Sequence, residues 1–275
     1  MRPIWCLLSL AAALLIPLPA QSAQEIVTLE TRPGVTLKVL LRFPNNSPKA
    51  ALVLFPGGQG AGHFSERGGQ IRVGNNFLTR SSPLFVERRF AVAVVDVPSD
   101  QAAGMSDQFR TGKEHIQDIT KIIDLLDQKC PGPLYLVGTS RGTLSVAHLG
   151  ASLQDRRISG IVLTSSIGAS RPSRSDRLPL SLFEVPMENI MVPVLFVHHR
   201  NDGCWAANFA DAVRLQKRVT KSAKVEFIEV QGGDPPRSEA CEPLTPHGYL
   251  GKEREVVTAI TDWVEGKPVP KQIGP

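Results

Sequence analysis

Aromatic side chains are scarce in this chain, and its basic residues are scattered rather than clustered. Phe, Trp and Tyr together make up 6% of the 275 residues, and the formal net charge is +5. A nucleic-acid-binding surface combines a basic stripe with interleaved aromatic residues, so we expect no nucleic-acid partner. A mild positive charge spread along the chain is instead typical of a basic exported protein.

Long apolar runs are missing everywhere except at the N-terminus. Arg2 precedes an apolar stretch at residues 4–18, which Pro17 interrupts, and small residues follow at 20–23. A basic start, a short apolar run and small residues before a cleavage site are the features of a secretory signal peptide. We predict that residues 1–23 are removed and that the mature chain is secreted or periplasmic, without stable membrane insertion.

Cysteine is also sparse. The chain has four, and Cys6 lies within the predicted signal peptide. In an oxidising compartment the remaining three predict one disulfide and one spare thiol. Cys130 ends a predicted amphipathic helix, whereas Cys204 and Cys241 lie in predicted loops. We therefore predict a Cys204–Cys241 disulfide, with three free buried thiols as the alternative.

Motifs for nucleotides and metals are absent. A glycine cluster at residues 56–62 follows an apolar stretch, but it lacks Gly-x-Gly-x-x-Gly spacing and a Gly-Lys-Ser/Thr sequence. His198 and His199 are adjacent at the end of a predicted strand, so their side chains point to opposite faces and cannot share one ion. The three cysteines lack the close spacing of a zinc site. We expect neither a metal nor a cofactor.

Eight predicted strands set the fold class. Helical patterns separate them from the third strand onward, and such alternation predicts parallel strands with helices on both faces of the sheet. We predict an α/β fold with a mostly parallel eight-stranded sheet, in a single domain over residues 24–275. The strands are expected at 26–29, 35–43, 50–55, 90–97, 134–137, 158–164, 193–198 and 224–230.

The predicted helices cover residues 83–88, 113–129, 142–153, 206–219 and 252–264. Residues 63–80 and 98–111 are expected to form loops. Residues 168–188 are too short for a cap domain and predict a small lid. This segment carries Arg171, Arg174 and Arg177, which either attract anionic substrates or form a solvated basic loop.

The most informative stretch is residues 134–149, where an apolar run, a Gly-x-Ser-x-Gly turn and a helical pattern follow one another. Gly138 and Gly142 have no Cβ, so a strand and a helix can pack closely around a strained turn. Ser140 at its apex lies near a helix N-terminus, which favours developing negative charge. The pattern predicts a nucleophile elbow; a turn without chemistry is the alternative.

Residues 26–265 resemble the α/β-hydrolase family of serine hydrolases, because the elbow follows the fifth strand and a candidate acid and histidine follow it in the family's order. The resemblance implies a Ser-His-Asp triad. A serine hydroxyl needs a base within reach, and that base needs an orienting carboxylate. The resemblance places the base after the last strand, at His247, and the acid after the penultimate strand, at Asp202. Asp176 is the alternate acid.

The other histidines are set aside as the base, and so is Asp96 as the acid, because it lies too deep in a strand before the elbow. These histidines are His63, His115, His148, His198 and His199. A Cys204–Cys241 bridge would tie the loop of the acid to the loop of the base and hold them in register. A bridge that merely staples two loops is the alternative.

Two backbone N–H groups are expected to form the oxyanion hole. One belongs to Arg141, the residue after the nucleophile, and the other to Gly58 or Gln59 in the glycine cluster. The Arg141 side chain either braces the site or meets an anionic substrate.

The resemblance implies a serine esterase that acts on a small-molecule ester, and the predicted signal peptide implies that it is exported. The alternatives are a serine peptidase or amidase, which would act on a peptide, and a non-catalytic binding protein on the same fold.

Overall fold

A central β-sheet organises the molecule. The computed structural model describes residues 23–168 and 180–275; residues 1–22 of the predicted signal peptide and the arginines at 171, 174 and 177 lie outside these residues. Eleven strands occur in the described part: β1 (Gln24–Arg32), β2 (Val35–Arg42), β3 (Ala51–Phe55), β4 (Ser65–Arg67), β5 (Gln70–Arg72), β6 (Ala91–Pro98), β7 (Leu134–Thr139), β8 (Ile158–Thr164), β9 (Val194–His199), β10 (Val225–Val230) and β11 (Gln272–Ile273).

Seven α-helices accompany these strands within the same residues. They are α1 (Phe77–Arg80), α2 (Ser82–Glu87), α3 (Asp107–Arg110), α4 (Lys113–Lys129), α5 (Gly142–Ser152), α6 (Phe209–Gln216) and α7 (Glu253–Val264). Residues 182–184, 187–189 and 246–248 form short 3₁₀ turns. No helix in the described part of the chain is both long and apolar enough to cross a membrane.

The main sheet has nine strands in the order β1-β2-β6-β3-β7-β8-β9-β10-β11. β1 and β2 form an antiparallel hairpin, and β2 also pairs antiparallel with β6. From β6 onward every pairing is parallel. β3 is an interior strand, between β6 and β7, and all five of its residues are buried. The prediction of a mostly parallel sheet is confirmed, with an antiparallel edge.

Helices cover both faces of the sheet. A strand such as β3, which is apolar along its whole length, has to be buried on both faces. Alternate β3 residues enter separate core clusters: Val53 and Phe55 pack with the buried face of α4 and α5, whereas Leu52 and Leu54 pack with that of α2 and α7. The period of two along the strand and the helical spacing on α4 and α7 therefore build two distinct core layers.

The structure differs from the predictions made from the sequence at five places. The sheet has nine strands rather than eight, because the two-residue strand β11 pairs with β10 after the last helix. Residues 63–80 contain a hairpin, β4–β5, and the helix α1, while 98–111 contains α3. The helix predicted over 206–219 is limited to α6. The end of the predicted lid belongs to the core, since Leu182, Val185 and Met187 are buried there.

Candidate active site

Ser140 lies at the sharp turn between β7 and α5. Its φ of 52° is left-handed, which is unusual for a residue with a side chain. Two glycines make the turn sterically feasible. A Cβ on Gly142 would lie 2.2 Å from the carbonyl oxygen of Phe55, and one on Gly138 would lie 2.6 Å from the carbonyl oxygen of Gly142. The close approach of strand and helix therefore needs glycine on both sides of the strained serine.

Asp202 and His247 are hydrogen-bonded to each other. The Nδ1 atom of His247 lies 2.8 Å from Oδ2 of Asp202, and both side chains are almost completely buried. The second oxygen of Asp202 accepts a bond from the backbone N–H of Cys204 at 2.9 Å. Because the carboxylate holds Nδ1–H, the other ring nitrogen, Nε2, is left to accept a proton.

Ser140 and His247 line one cavity of about 550 Å³. The Nε2 atom of His247 is buried and has no hydrogen-bond partner among the described residues. The cavity is also lined by residues of the glycine cluster, by the residues before and at the start of α1, and by the segment that precedes His247. These residues are Gly57, Gly58, Gln59, Ala61, His63, Gly74, Asn75, Asn76, Phe77, Thr139, Cys241, Glu242, Pro243 and Gly248.

Residues 57–60 form a turn, called here the glycine turn, that lies directly against the elbow. A Cβ on Gly57 would lie 2.8 Å from the Cβ of Ser140, so only glycine allows this approach. The N–H of Gly60 donates to the carbonyl of Gly57 at 3.0 Å and closes a β-turn with Gly58 and Gln59 at its centre. The two predicted donors thus lie in a tight turn beside the nucleophile, and both residues line its cavity.

A disulfide bond joins Cys204 and Cys241. Cys204 is buried two residues beyond Asp202, and Cys241 lies six residues before His247 at the edge of the cavity. The bond therefore connects the loop of the carboxylate to the loop of the imidazole. Cys130 is free and half-buried, and burial and the charge of Asp127 raise the pKa of its thiol.

The Arg141 side chain pairs with Asp107 at 2.6 Å. The sequence left two roles open for this side chain, support of the site or contact with an anionic substrate. The ion pair with Asp107 favours support of the site. Beside this pair, Arg110 is fully buried. Burial and the charge of Arg141 lower the pKa of Arg110 to about 9, against the opposing effect of Asp107, so the guanidinium stays protonated at neutral pH.

The histidine loop is held by residues that the sequence did not single out. The Tyr249 hydroxyl donates to the carbonyl of Val197 at 2.7 Å, and Ser165 Oγ donates to the carbonyl of His247 at 2.7 Å. Arg80 donates to the carbonyl of Gly248 at 2.6 Å. Burial raises the pKa of Tyr249, which keeps its hydroxyl a donor. No local pattern marks these residues, because each contact joins segments that are distant in the sequence.

The remaining histidines take other positions. His115 is fully buried, and desolvation lowers its pKa to about 3, so it is neutral. His198 is buried, and desolvation lowers its pKa. His199 bonds the carbonyl of Gly232 through Nε2 at 2.8 Å. His148 lies on α5, and only His63 of this set lines the cavity.

Of the two other candidate acids, Asp96 lies in the described residues and has a different role. Asp96 accepts a hydrogen bond from the backbone N–H of Gly62 at 2.9 Å and so anchors the loop that follows the glycine turn. Asp176 lies outside the described residues. Among the described residues, no group of three or more His, Cys, Asp or Glu side chains could hold a metal ion.

Comparison with known proteins identifies the architecture. No protein-family model matches the sequence, and no curated protein matches it. Solved structures do match. A cold-adapted esterase from an Arctic intertidal metagenomic library has a TM-score of 0.54 at 15% identity, over 78% of this chain and 87% of the esterase. A Xanthomonas campestris α/β serine hydrolase without a lid has a TM-score of 0.57 at 12% identity, over 92% and 98%.

An acylaminoacyl peptidase from Pyrococcus horikoshii has a TM-score of 0.62 at 12% identity, over 88% of this chain but 42% of the peptidase. Identities this low establish the architecture rather than the substrate. The strand order, the elbow after β7 and these structural matches lead to one conclusion: the chain has the α/β-hydrolase fold.

Proposed function

We propose that this chain is an exported serine hydrolase that cleaves carboxylic ester bonds through an acyl-enzyme. The observation that carries the proposal is the buried Asp202–His247 hydrogen bond of 2.8 Å, which lies at the cavity that Ser140 also lines. A carboxylate, an imidazole and a serine at a strained elbow are the components that convert a weak hydroxyl into a nucleophile.

Acylation begins at Ser140. Its Oγ attacks the ester carbonyl carbon while its proton passes to Nε2 of His247. Asp202 holds the imidazole in the required orientation and stabilises the imidazolium that forms. The oxyanion of the tetrahedral intermediate accepts hydrogen bonds from the N–H of Arg141 and from that of Gly58 or Gln59, and each donor contributes about 3 kcal/mol. The alcohol then leaves with the proton held by His247.

Deacylation repeats these steps with water. His247 takes a proton from the attacking water, the second tetrahedral intermediate collapses, and the carboxylic acid leaves as Ser140 recovers its proton. The glycine turn and the elbow serve both half-reactions, because the oxyanion forms at the same place in each. The esterases of similar fold support an ester as the substrate.

Export is supported by two features of the chain. The N-terminal sequence has the composition of a signal peptide, and the Cys204–Cys241 bond is stable in an oxidising compartment. We further propose that the mature chain, from residue 24 onward, is a single catalytic domain. Measurement of the mature N-terminus after expression in a bacterial host tests this; retention of Met1 on an intracellular product would contradict it.

A serine peptidase or amidase is the second candidate, and the fold similarity to the Pyrococcus horikoshii acylaminoacyl peptidase favours it. The same machinery would act on an amide whose leaving group is an amine. A panel of short p-nitrophenyl esters and of aminoacyl p-nitroanilides separates the two: ester turnover with negligible anilide turnover supports the esterase, and preferential anilide turnover supports the peptidase.

The decisive test of nucleophilic catalysis is labelling by a fluorophosphonate probe. Wild-type protein should be labelled, and Ser140→Ala should not. A matched control is Ser82→Ala, which removes another buried serine whose hydroxyl donates to the carbonyl of Thr79 and does not line the cavity; this variant should still be labelled. Labelling that survives Ser140→Ala would refute Ser140 as the nucleophile, and wild-type protein that is never labelled would leave a non-catalytic binding protein as the better description.

A further inference from the structure

Arg110 is a buried charge that takes no part in the proposed acylation and deacylation steps. It is the largest completely buried side chain in the described part of the chain. None of the described carboxylates lies within ion-pair distance of Arg110. Asp107, which is three residues away along the chain, pairs with Arg141. Burying a charge without a direct counter-ion is costly, so an apolar side chain would fill this site at lower cost to stability.

The hydrogen bonds of Arg110 point to its role. One terminal nitrogen donates to the carbonyl of Gly58 at 3.2 Å, and the other donates to Ser145 Oγ on α5 at 3.2 Å. Its guanidinium also packs against the turn, since a Cβ on Gly60 would lie 2.8 Å from Nη2. Arg110 therefore connects the glycine turn to α5, the helix that follows the elbow, and it does not line the cavity.

The carbonyl of Gly58 belongs to the central peptide of the Gly57–Gly60 turn. The φ of Gly58 is 56°, whereas that of Gln59 is not positive, which is the pattern of a type II′ turn. The C=O and N–H of a trans peptide point in opposite directions. With the Gly58 carbonyl directed at Arg110, the N–H of Gln59 points away from Arg110, and Gln59 lines the cavity whereas Arg110 does not.

Rotation of this one peptide would reverse the site. A type II′ turn becomes type I′ when its central peptide flips, and the chain on either side hardly moves. The flip would replace the Gln59 N–H by the Gly58 carbonyl oxygen, which repels an oxyanion instead of stabilising it. It also requires a positive φ at Gln59, which a side chain disfavours. The hydrogen bond from Arg110 adds a second restraint against the flip.

We propose that Arg110 is a positioning residue that locks the Gly58–Gln59 peptide with its N–H toward the oxyanion, and that the buried charge is retained for this purpose. The inference rests on the proposed function and deepens it, because it selects Gln59 from the two candidate donors. Arg110 acts through the turn and does not itself contact the substrate.

The first test compares Arg110→Met and Arg110→Lys with wild type. We expect Arg110→Met to lower kcat for a p-nitrophenyl ester by about 10- to 100-fold, part of the loss typical of a missing oxyanion donor. The affinity for a trifluoromethyl ketone, which forms an oxyanion on Ser140, should fall by a similar factor. KM and Tm should change little. Arg110→Lys, which keeps a charged donor, should recover part of kcat.

The matched control is Arg157→Met. Arg157 bonds Asp155 and Asp124 away from the cavity, so its loss should leave kcat and the ketone affinity unchanged. Wild-type kcat and ketone affinity in Arg110→Met would overturn the proposal. So would a fall in Tm and kcat with the ketone affinity retained, because that result describes a purely structural residue.

A double-mutant cycle tests the flip itself and remains informative if Arg110→Met does not fold. Gln59→Gly removes the φ restriction, and Gln59→Ala removes the side chain but keeps the restriction. In the Arg110→Lys background, Gln59→Gly should lower kcat by at least about threefold more than the product of the single effects, as coupled sites do. Gln59→Ala should combine without such an excess. Simple products for both would overturn the proposal.

Different results would refute the hydrolase function and the role of Arg110. Wild-type protein that a fluorophosphonate does not label would refute the hydrolase function. Labelled and active wild-type protein, with Arg110 variants that match it in kcat and ketone affinity, would refute the role of Arg110 alone.

Discussion

Removal of the Cys204–Cys241 bond should cost both stability and activity. The two cysteines are 37 positions apart, and the loop-entropy relation converts a loop of this length into about 4 kcal/mol of stability. For a chain of this size, such a loss lowers Tm by about 10 °C. Cys204→Ala combined with Cys241→Ala removes the bond with little change in volume.

Activity should fall for a separate reason. The bond connects the loops of Asp202 and His247, and misplacement of a catalytic group by about 1 Å can cost about 100-fold in rate. The backbone N–H of Cys204 still holds Asp202 in the variant, so we expect a smaller decrease, about tenfold in kcat. Because Cys241 is exposed, a reductant should produce the same changes in wild-type protein.

Circular dichroism melting and ester hydrolysis at 25 °C measure the two effects. Cys130→Ala is the matched control, since Cys130 is free, and it should retain the wild-type Tm and kcat. If the double variant has the wild-type Tm and the wild-type kcat, both the entropic and the positioning role of the bond are refuted. A lower Tm with unchanged kcat would show that the bond stabilises the fold but does not position Asp202 and His247.

Three further predictions concern single side chains. Asp202→Asn should lower kcat by about 10³- to 10⁴-fold while leaving Tm near that of wild type, because the amide cannot stabilise the imidazolium; a loss below tenfold in a steady-state assay would contradict the triad. Gly142→Ala should destabilise the fold by about 3 kcal/mol in urea unfolding, because its Cβ would meet the Phe55 carbonyl at 2.2 Å, and an unchanged midpoint would refute the steric argument. His115 is neutral when folded, with its pKa lowered to about 3, but binds a proton near pH 6.5 when unfolded, so it makes stability fall as pH drops below about 6.5. His115→Leu should therefore remove about 2 kcal/mol of the stability lost between pH 7 and pH 5; parallel pH profiles for variant and wild type would exclude this role.

Local patterns predicted most of the sheet because each strand carries its own signal. β3 is buried on both faces and therefore reads as a continuous apolar run, and α4 has the helical spacing that one buried face demands. β11 was missed because two residues are too few for any periodicity. The short helices α1 and α3 were missed for the same reason, although Asn76 and Ser106 cap their first turns through side-chain oxygens.

Local patterns predicted only part of the candidate active site. Ser140 is marked by its glycines, because the elbow demands them within a few residues of sequence. Asp202 and His247 were named from their places between strands, which give an order along the chain but no distance between side chains. Arg110 had no signal, since an arginine in a short polar segment reads as exposed until the packing around it is known.

The amino-acid sequence by itself determined the alternation of strands and helices, the strained turn at Ser140 and the chain order of serine, aspartate and histidine. These properties depend on side-chain periodicity and on glycine requirements that act over a few residues. Only the tertiary structure decided that groups 45 positions apart meet at 2.8 Å, that a disulfide joins their loops, and that a buried arginine holds the Gly58 carbonyl. Those contacts arise from packing between distant segments, which no local pattern encodes.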